Sequence, residues 1–108
     1  MTTRREKIEA MLVAEPNDQF LRYALSQELE KTGENERSLA MLRDLAYDPR
    51  APHVPSYFMA GQQLVRLDRI NEARQFLRDG IEEARRQDNA HAASEMSALL
   101  TDLGALGE

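Results

Sequence analysis

The chain has 108 residues, 42% of them hydrophobic and 31% charged, which is a composition suited to one soluble domain with one modest core. It contains no cysteine, and this excludes disulfide bonds and thiolate metal sites. Its formal net charge is -5 and its basic residues are interspersed with acids, which argues against a nucleic-acid partner because such proteins carry a basic face.

The N-terminal segment (MTTRREK) is charged, and no apolar core of the signal-peptide type follows it. No apolar run anywhere in the sequence approaches the ~20 residues that a helix needs to cross a bilayer. We therefore expect a cytoplasmic protein with no membrane partner.

Apolar residues recur at helical spacing along almost the whole chain. In the first such stretch, Ile8, Met11 and Leu12 occupy positions i, i+3 and i+4. The segment 48–55 carries three of the four prolines, and proline interrupts a helix because it lacks the amide hydrogen. No alternating run of β-branched residues predicts a strand. The spacing predicts six helices, at about residues 4–14, 18–31, 35–47, 55–67, 71–86 and 89–103.

One ten-residue stretch of the sequence recurs in similar form. Residues 36–45 read ERSLAMLRDL, and 35 residues later the chain reads NEARQFLRDG. A helix pair repeated at a period of about 34 residues is the signature of tetratricopeptide repeats, and the chain resembles that family over about residues 19–86. The residues that align at this shift are Tyr23 with Phe58, Ser26 with Gly61, Gln27 with Gln62, Leu29 with Leu64, Lys31 with Arg66, Ser38 with Ala73, and Leu42 with Leu77.

The resemblance implies an all-α fold, an α-solenoid of antiparallel helix pairs wound into a right-handed superhelix. It divides a single domain, residues 1–108, into an N-terminal half-repeat helix (4–14), two repeats (19–50 and 55–86) and a C-terminal capping helix (89–103). Two repeats are fewer than the ~3 usually needed for stability, so we expect the flanking helices to complete the stack. The first repeat departs from the family, because Arg22 and Asn35 stand where large aromatic residues are usual. A generic helical bundle with chance similarity is the alternative.

Two helices approach closely only where small residues face each other. We expect Ser26 to face Ser38 and Gly61 to face Ala73 in the two repeats. We expect large residues to fill the layer between these contacts, namely Leu29, Leu42, Leu64 and Leu77.

The resemblance also implies that the first helix of each repeat lines a concave face. Gln27 and Gln62 occupy equivalent positions there, and a glutamine amide can hydrogen-bond the backbone of an extended peptide. Tyr23 and Phe58 would add apolar contact beside them. Alternatively, the glutamines are simple helix formers and the aromatic rings pack between helices. The expected peptide-binding positions are Tyr23, Gln27, Glu30, Lys31, Phe58, Gln62, Val65 and Arg66.

One subfamily of these repeats holds the acidic C-terminal tails of heat-shock chaperones in a clamp of lysine, asparagine and arginine. The matching positions here are Tyr23, Gln27 and Met59, and the last helix has no lysine or arginine. A carboxylate clamp needs converging positive donors, so we do not expect this protein to bind chaperone tails.

No residue pattern predicts a catalytic or metal site. His53 lies in the proline-rich segment, where we expect it to be exposed. His91 and Glu95 are four residues apart on one helix face, which gives two possible metal ligands without a third. Because HExxH, a glycine-rich phosphate loop and a nucleophile elbow are all missing, we expect no enzyme activity, no metal and no cofactor.

The sequence thus predicts a non-catalytic module, an adaptor or scaffold that binds a protein or peptide on its concave face. It does not identify the partner, the oligomeric state, or whether the tail after Leu103 plugs the groove. The alternative is a structural or self-association module that acts through its convex face or its helix ends. Residues that would serve this alternative, if exposed, are Met41, Phe76, Met96 and Leu106.

Overall fold

The computed structural model describes residues 2–104, and within that range it contains six α-helices and no β-strand. Each helix begins and ends within one residue of its predicted position, and the predicted all-α fold is confirmed. No helix among these residues combines the length and the apolar character needed to cross a membrane. The helices are α1 (Arg4–Ala14), α2 (Gln19–Lys31), α3 (Asn35–Ala46), α4 (Val54–Arg66), α5 (Ile70–Arg86) and α6 (Ala90–Asp102).

The same backbone motif ends α2, α4 and α5. Two residues beyond each helix the chain takes a left-handed conformation, with φ of 82° at Gly33, 59° at Asp68 and 57° at Asp88. The amide of the next residue then donates a hydrogen bond back into the last turn, as from Arg69 N to Leu64 O at 2.8 Å. This is the Schellman motif, which satisfies carbonyl groups that a helix end leaves unpaired.

The helices stack in chain order. Each packs against the next one along the sequence, and α4 in addition contacts α6. The result is an elongated body of 45 × 30 × 19 Å. Contacts mainly between neighbours in the sequence are the mark of a solenoid, in which each helix pair buries its apolar face only by stacking on the next.

The apolar core runs through the stack in two clusters. The larger one joins α3, α4, α5 and α6, and its most buried large side chains include Leu42, Leu64, Leu77 and Met96, each at most 1% exposed. The smaller one fills the space between α1 and α2, where its members are Ile8, Ala24, Leu25 and Leu29. The flanking helices α1 and α6 therefore each close one end of the core.

Small residues bring the helices of each repeat together. Ser26 and Ser38 are fully buried, and Ser38 Oγ donates a hydrogen bond to the Ser26 carbonyl oxygen at 2.7 Å. In the second repeat, a Cβ atom added at Gly61 would lie 2.8 Å from Cδ2 of Leu77. Ala73, which was expected to face Gly61, is itself fully buried.

A buried glutamine accounts for one departure from the family pattern. Gln63 is fully buried, and its Nε2 donates to Asn35 Oδ1 at 3.3 Å while its Oε1 accepts from Ser38 Oγ at 3.2 Å. A buried amide is costly unless it is hydrogen-bonded. Asn35 therefore replaces the usual aromatic residue with a polar partner for Gln63.

The apolar residues considered for self-association are not available as a surface. Phe76 is 2% exposed and Met96 is fully buried, while Met41 is half-buried against the α1–α2 cluster. The condition set for the self-association alternative, that these residues be exposed, is therefore not met by any of the three, because they pack into the core. Leu106, the fourth residue considered, lies outside the described residues.

Candidate functional site

A continuous groove runs between α4 and α6. It consists of two hollows, of about 230 and about 400 Å³, which share Phe58, Gln62 and Glu95 in their walls. Tyr23 of α2 lines one of the two hollows, and the other lining residues lie on α4 and α6 or just before α6. We call it the α4–α6 groove, and its main lining residues are Tyr23, Phe58, Gln62, Val65, Arg66, His91, Glu95, Leu99 and Asp102.

Five of the eight predicted peptide-binding residues line this groove. They are Tyr23, Phe58, Gln62, Val65 and Arg66, of which all but Arg66 are half-buried. Within residues 2–104, the Gln62 side chain makes no hydrogen bond to another residue. The groove thus combines apolar surface with an amide whose donors and acceptor are unused among the described residues.

The other three predicted residues lie on α2, outside the two hollows. Gln27 is half-buried and, among the described residues, has no hydrogen-bond partner for its side chain. The Lys31 ammonium lies 2.8 Å from a carboxylate oxygen of Glu28. The structure therefore gathers the second-repeat positions and Tyr23 into one groove, but it keeps the remaining first-repeat positions at its edge.

Glu30 reaches the groove through an ion pair. Arg66 donates to both carboxylate oxygens of Glu30, with nitrogen–oxygen distances from 2.7 to 3.0 Å, and so ties α4 to α2. A bidentate pair of this kind fixes the guanidinium plane. The charge of Arg66 is thereby balanced by a carboxylate at the rim of the groove.

His53 is not exposed as expected, because it is half-buried at the start of α4. Its Nδ1 lies 2.7 Å from Ser56 Oγ, and its ring meets the Tyr23 ring edge-on, with 5.1 Å between centroids. Burial lowers the pKa of His53 and raises the pKa of Tyr23, because both charged forms lose hydration. Tyr23 thus lines one end of the groove, and His53 packs against it from the start of α4.

The third wall of the groove comes from α6, which the sequence predicts only as a capping helix. Glu95 and Asp102 line the groove together with Leu99. The positions at which the helices begin could have predicted this wall. Helices α2, α4 and α6 begin almost equally spaced along the chain, so α6 lies where a third repeat would put its first helix.

A larger hollow lies elsewhere and has a different character. It measures about 560 Å³ and lies between the α1–α2 turn and the segment that follows α3. Arg22, Arg43 and Arg50 line it together with Asp44 and Asp48. Because both signs of charge are mixed there, it favours no particular ligand.

The described residues hold no cluster of three or more side chains that could ligate a metal ion. His91 and Glu95 form a simple pair on the surface of α6, with 3.1 Å between Nε2 and a carboxylate oxygen. This geometry is that of an ordinary ion-pairing position four residues apart on a helix.

The stacked helix pairs and the groove between their first helices define an α-helical repeat module. The chain is similar to the solution NMR structure of a tetratricopeptide repeat domain protein from Salinibacter ruber, with 32% sequence identity and a TM-score of 0.77. The match covers 86% of this chain and 93% of that one. No protein-family profile and no curated protein matches the chain. The chain belongs to the tetratricopeptide repeat family, which excludes a generic bundle with chance similarity.

Proposed function

We propose that this protein is a non-catalytic module that binds an extended segment of a protein partner in the α4–α6 groove. The main support is the position of Gln62. Its amide has no hydrogen-bond partner within residues 2–104, and it lies between the half-buried Phe58 and Val65. An amide in this position can pair with the backbone of an extended chain, while the apolar walls take its side chains. Membership of a repeat family that generally mediates protein interactions supports the proposal.

A catalytic role has one structural candidate, the hydrogen bond between His53 and Ser56. A nucleophilic serine must reach its substrate, and Ser56 is fully buried in the first turn of α4. Its hydroxyl is engaged in holding the His53 ring. The pair is better explained as a structural contact, which favours binding without chemistry.

The net charge of -5 and the intermixed acids and bases favour a protein partner over a nucleic acid. The absence of converging lysine and arginine side chains in the lining of the groove also disfavours the acidic chaperone tails. The proposal keeps the expectations that this protein is cytoplasmic and that its partner is a protein or peptide. It involves no nucleic acid, no membrane and no cofactor.

Affinity capture from native lysate tests the proposal. The bait is the wild type, compared with the double variant Gln27→Ala/Gln62→Ala and with the control variant Gln75→Ala/Arg78→Ala, which alters exposed residues of α5. We expect one partner to be retained by the wild type and the control but lost by the groove variant, with all three equally folded by circular dichroism. Equal capture by all three baits would contradict binding in the groove.

A second candidate function is self-association through the N-terminal end. Within residues 2–104, three of the four exposed large apolar residues lie there, Met11 at 49%, Val13 at 85% and Phe20 at 74% exposure. An exposed apolar cluster often marks a contact. Sedimentation velocity at rising concentration tests it, since a dimer of the wild type that Val13→Ser/Phe20→Ser abolishes would favour it. A monomer at all concentrations would remove it.

A further inference from the structure

The floor of the α4–α6 groove is apolar. Phe58, Val65 and Leu99 pack against the large core cluster from one side and line the groove from the other. All three are half-buried, so each keeps apolar surface that a bound side chain could cover. Covering such surface removes apolar area from water and so favours the complex.

The two basic residues on the α2–α4 side of this face are already paired. Arg66 is held by both oxygens of Glu30, and the Lys31 ammonium lies beside Glu28. An acidic residue of a partner would have to compete with these carboxylates. The α2–α4 side of the groove therefore offers no unpaired cation.

The acidic residues of α6 that line the groove, in contrast, are not paired with lysine or arginine among the described residues. Helix α6 contains no lysine or arginine, and the only ion-pair partner of Glu95 within residues 2–104 is His91. Asp102 makes no ion pair with any described residue. Both carboxylates line the groove next to the apolar floor, so the field in the groove is negative.

We infer that the groove selects a segment that combines large apolar residues with lysine or arginine, an inference that rests on the proposed function. Glu95 and Asp102 are two helical turns apart on one face of α6, which places them about 10 Å from each other. An extended polyproline-II segment puts residues i and i+3 on one side, about 9 Å apart. The segment would therefore carry basic residues at i and i+3 with an apolar residue between them.

Selection from a random dodecapeptide display library, with the full chain as bait, tests this inference. We expect the enriched peptides to carry basic residues at i and i+3 together with an aromatic or large aliphatic residue. The synthetic peptides should bind the variant Glu95→Gln/Asp102→Asn about fivefold more weakly or worse, as loss of two partly exposed ion pairs implies. The binding should also weaken as the salt concentration rises.

The matched control is Asp44→Asn/Glu82→Gln, which removes the same number of negative charges from exposed positions outside the groove. We expect it to bind the peptides as tightly as the wild type. Equal weakening by both variants would mean a general attraction of basic peptides to an acidic protein, and it would overturn the inference.

Two further outcomes separate this inference from the proposed function. Enriched peptides that are acidic or uncharged, and that Gln27→Ala/Gln62→Ala no longer binds, would overturn the basic preference and leave the groove as the binding site. Failure to enrich any peptide, or enrichment of peptides that no groove variant affects, would contradict both.

Discussion

The Ser38 hydroxyl and the Gln63 amide meet at the boundary between the two repeats, with 3.2 Å between Ser38 Oγ and Gln63 Oε1. Both side chains are fully buried, and the single hydroxyl hydrogen of Ser38 is shared with the Ser26 carbonyl oxygen. The contact links α2, α3 and α4 inside an otherwise apolar stack. Buried polar groups with complete hydrogen bonding favour one arrangement of the packed elements over others.

The adjacent glutamines of α4 should differ sharply in their effect on stability. We expect Gln63→Ala to lower the free energy of unfolding by about 2–3 kcal/mol, because it leaves a cavity and removes hydrogen bonds to Ser38 and Asn35. We expect Gln62→Ala, its control, to change it by no more than ~0.5 kcal/mol. Urea unfolding measures both. Equal effects would mean that the Gln63 network does not hold the repeats together.

Helix α5 has a position where only glycine fits. A Cβ atom at Gly80 would lie 2.6 Å from Cβ of Tyr57 and 2.5 Å from the sulfur of Met96. We expect Gly80→Ala to destabilise the fold by about 1–3 kcal/mol, although alanine is favoured over glycine by about 1 kcal/mol inside a helix. The exposed Arg78→Ala in the same helix is the control. Thermal unfolding that shows Gly80→Ala to be neutral or stabilising would contradict this close packing.

The left-handed residues that end the helices predict a stabilising substitution. Asp68 holds φ of 59° at the position where the preceding repeat has Gly33. A left-handed conformation costs a non-glycine residue roughly 1–2 kcal/mol, so we expect Asp68→Gly to stabilise the protein by up to ~1 kcal/mol. Gly33→Ala should destabilise it by a similar amount. A pair of chemical denaturation curves checks the two signs, and a loss of stability in Asp68→Gly would refute the argument.

Burial of His53 predicts that stability falls in mild acid. Because its pKa is lowered in the folded protein, the unfolded chain, with a value near 6.5, takes up a proton first. Stability should therefore be full well above that value and decline as the pH falls through it toward the lowered pKa of the folded protein. The carboxylates whose pKa values are lowered, Glu34, Asp48 and Glu72, lose their charge only at more acidic pH and do not contribute in that range.

The non-titrating variant His53→Asn serves as the control for this pH dependence. It keeps a polar side chain beside Ser56, and we expect its unfolding free energy to change less than that of the wild type over the same fall in pH. An NMR titration of the wild-type imidazole should show protonation below the usual pKa of histidine. Identical pH profiles for the two proteins would contradict the assignment.

The fold could be predicted from the sequence because its signals are local and repeated. Proline and glycine end helices, apolar residues follow the helical period, and a ten-residue stretch recurs in similar form 35 residues later. The six helices therefore appear within one residue of their predicted ends. Phe76 and Met96 show the limit, since the same apolar residue can face the core or a partner until the neighbouring helix is in place.

Only the α4 side of the groove could be predicted from the sequence. The aligned pairs pointed to Phe58 and Gln62, but the α6 wall with Glu95 and Asp102 has no matching phrase in the earlier repeats. Gln63 was missed for a related reason. A glutamine within a helix is equally suited to solvent or to a buried partner, and only the three-dimensional position of Asn35 distinguishes the two.

The most direct test of binding in the groove is an NMR titration of the isotope-labelled full chain with a peptide from the captured partner. Binding in the groove should change the backbone amide shifts along the facing sides of α2, α4 and α6, with Gln62, Glu95 and Leu99 among them. The amide shifts of α3 and α5, such as those of Arg43 and Arg78, should not change. Shift changes concentrated on α3 and α5, or at the end formed by Met11 and Phe20, would contradict it.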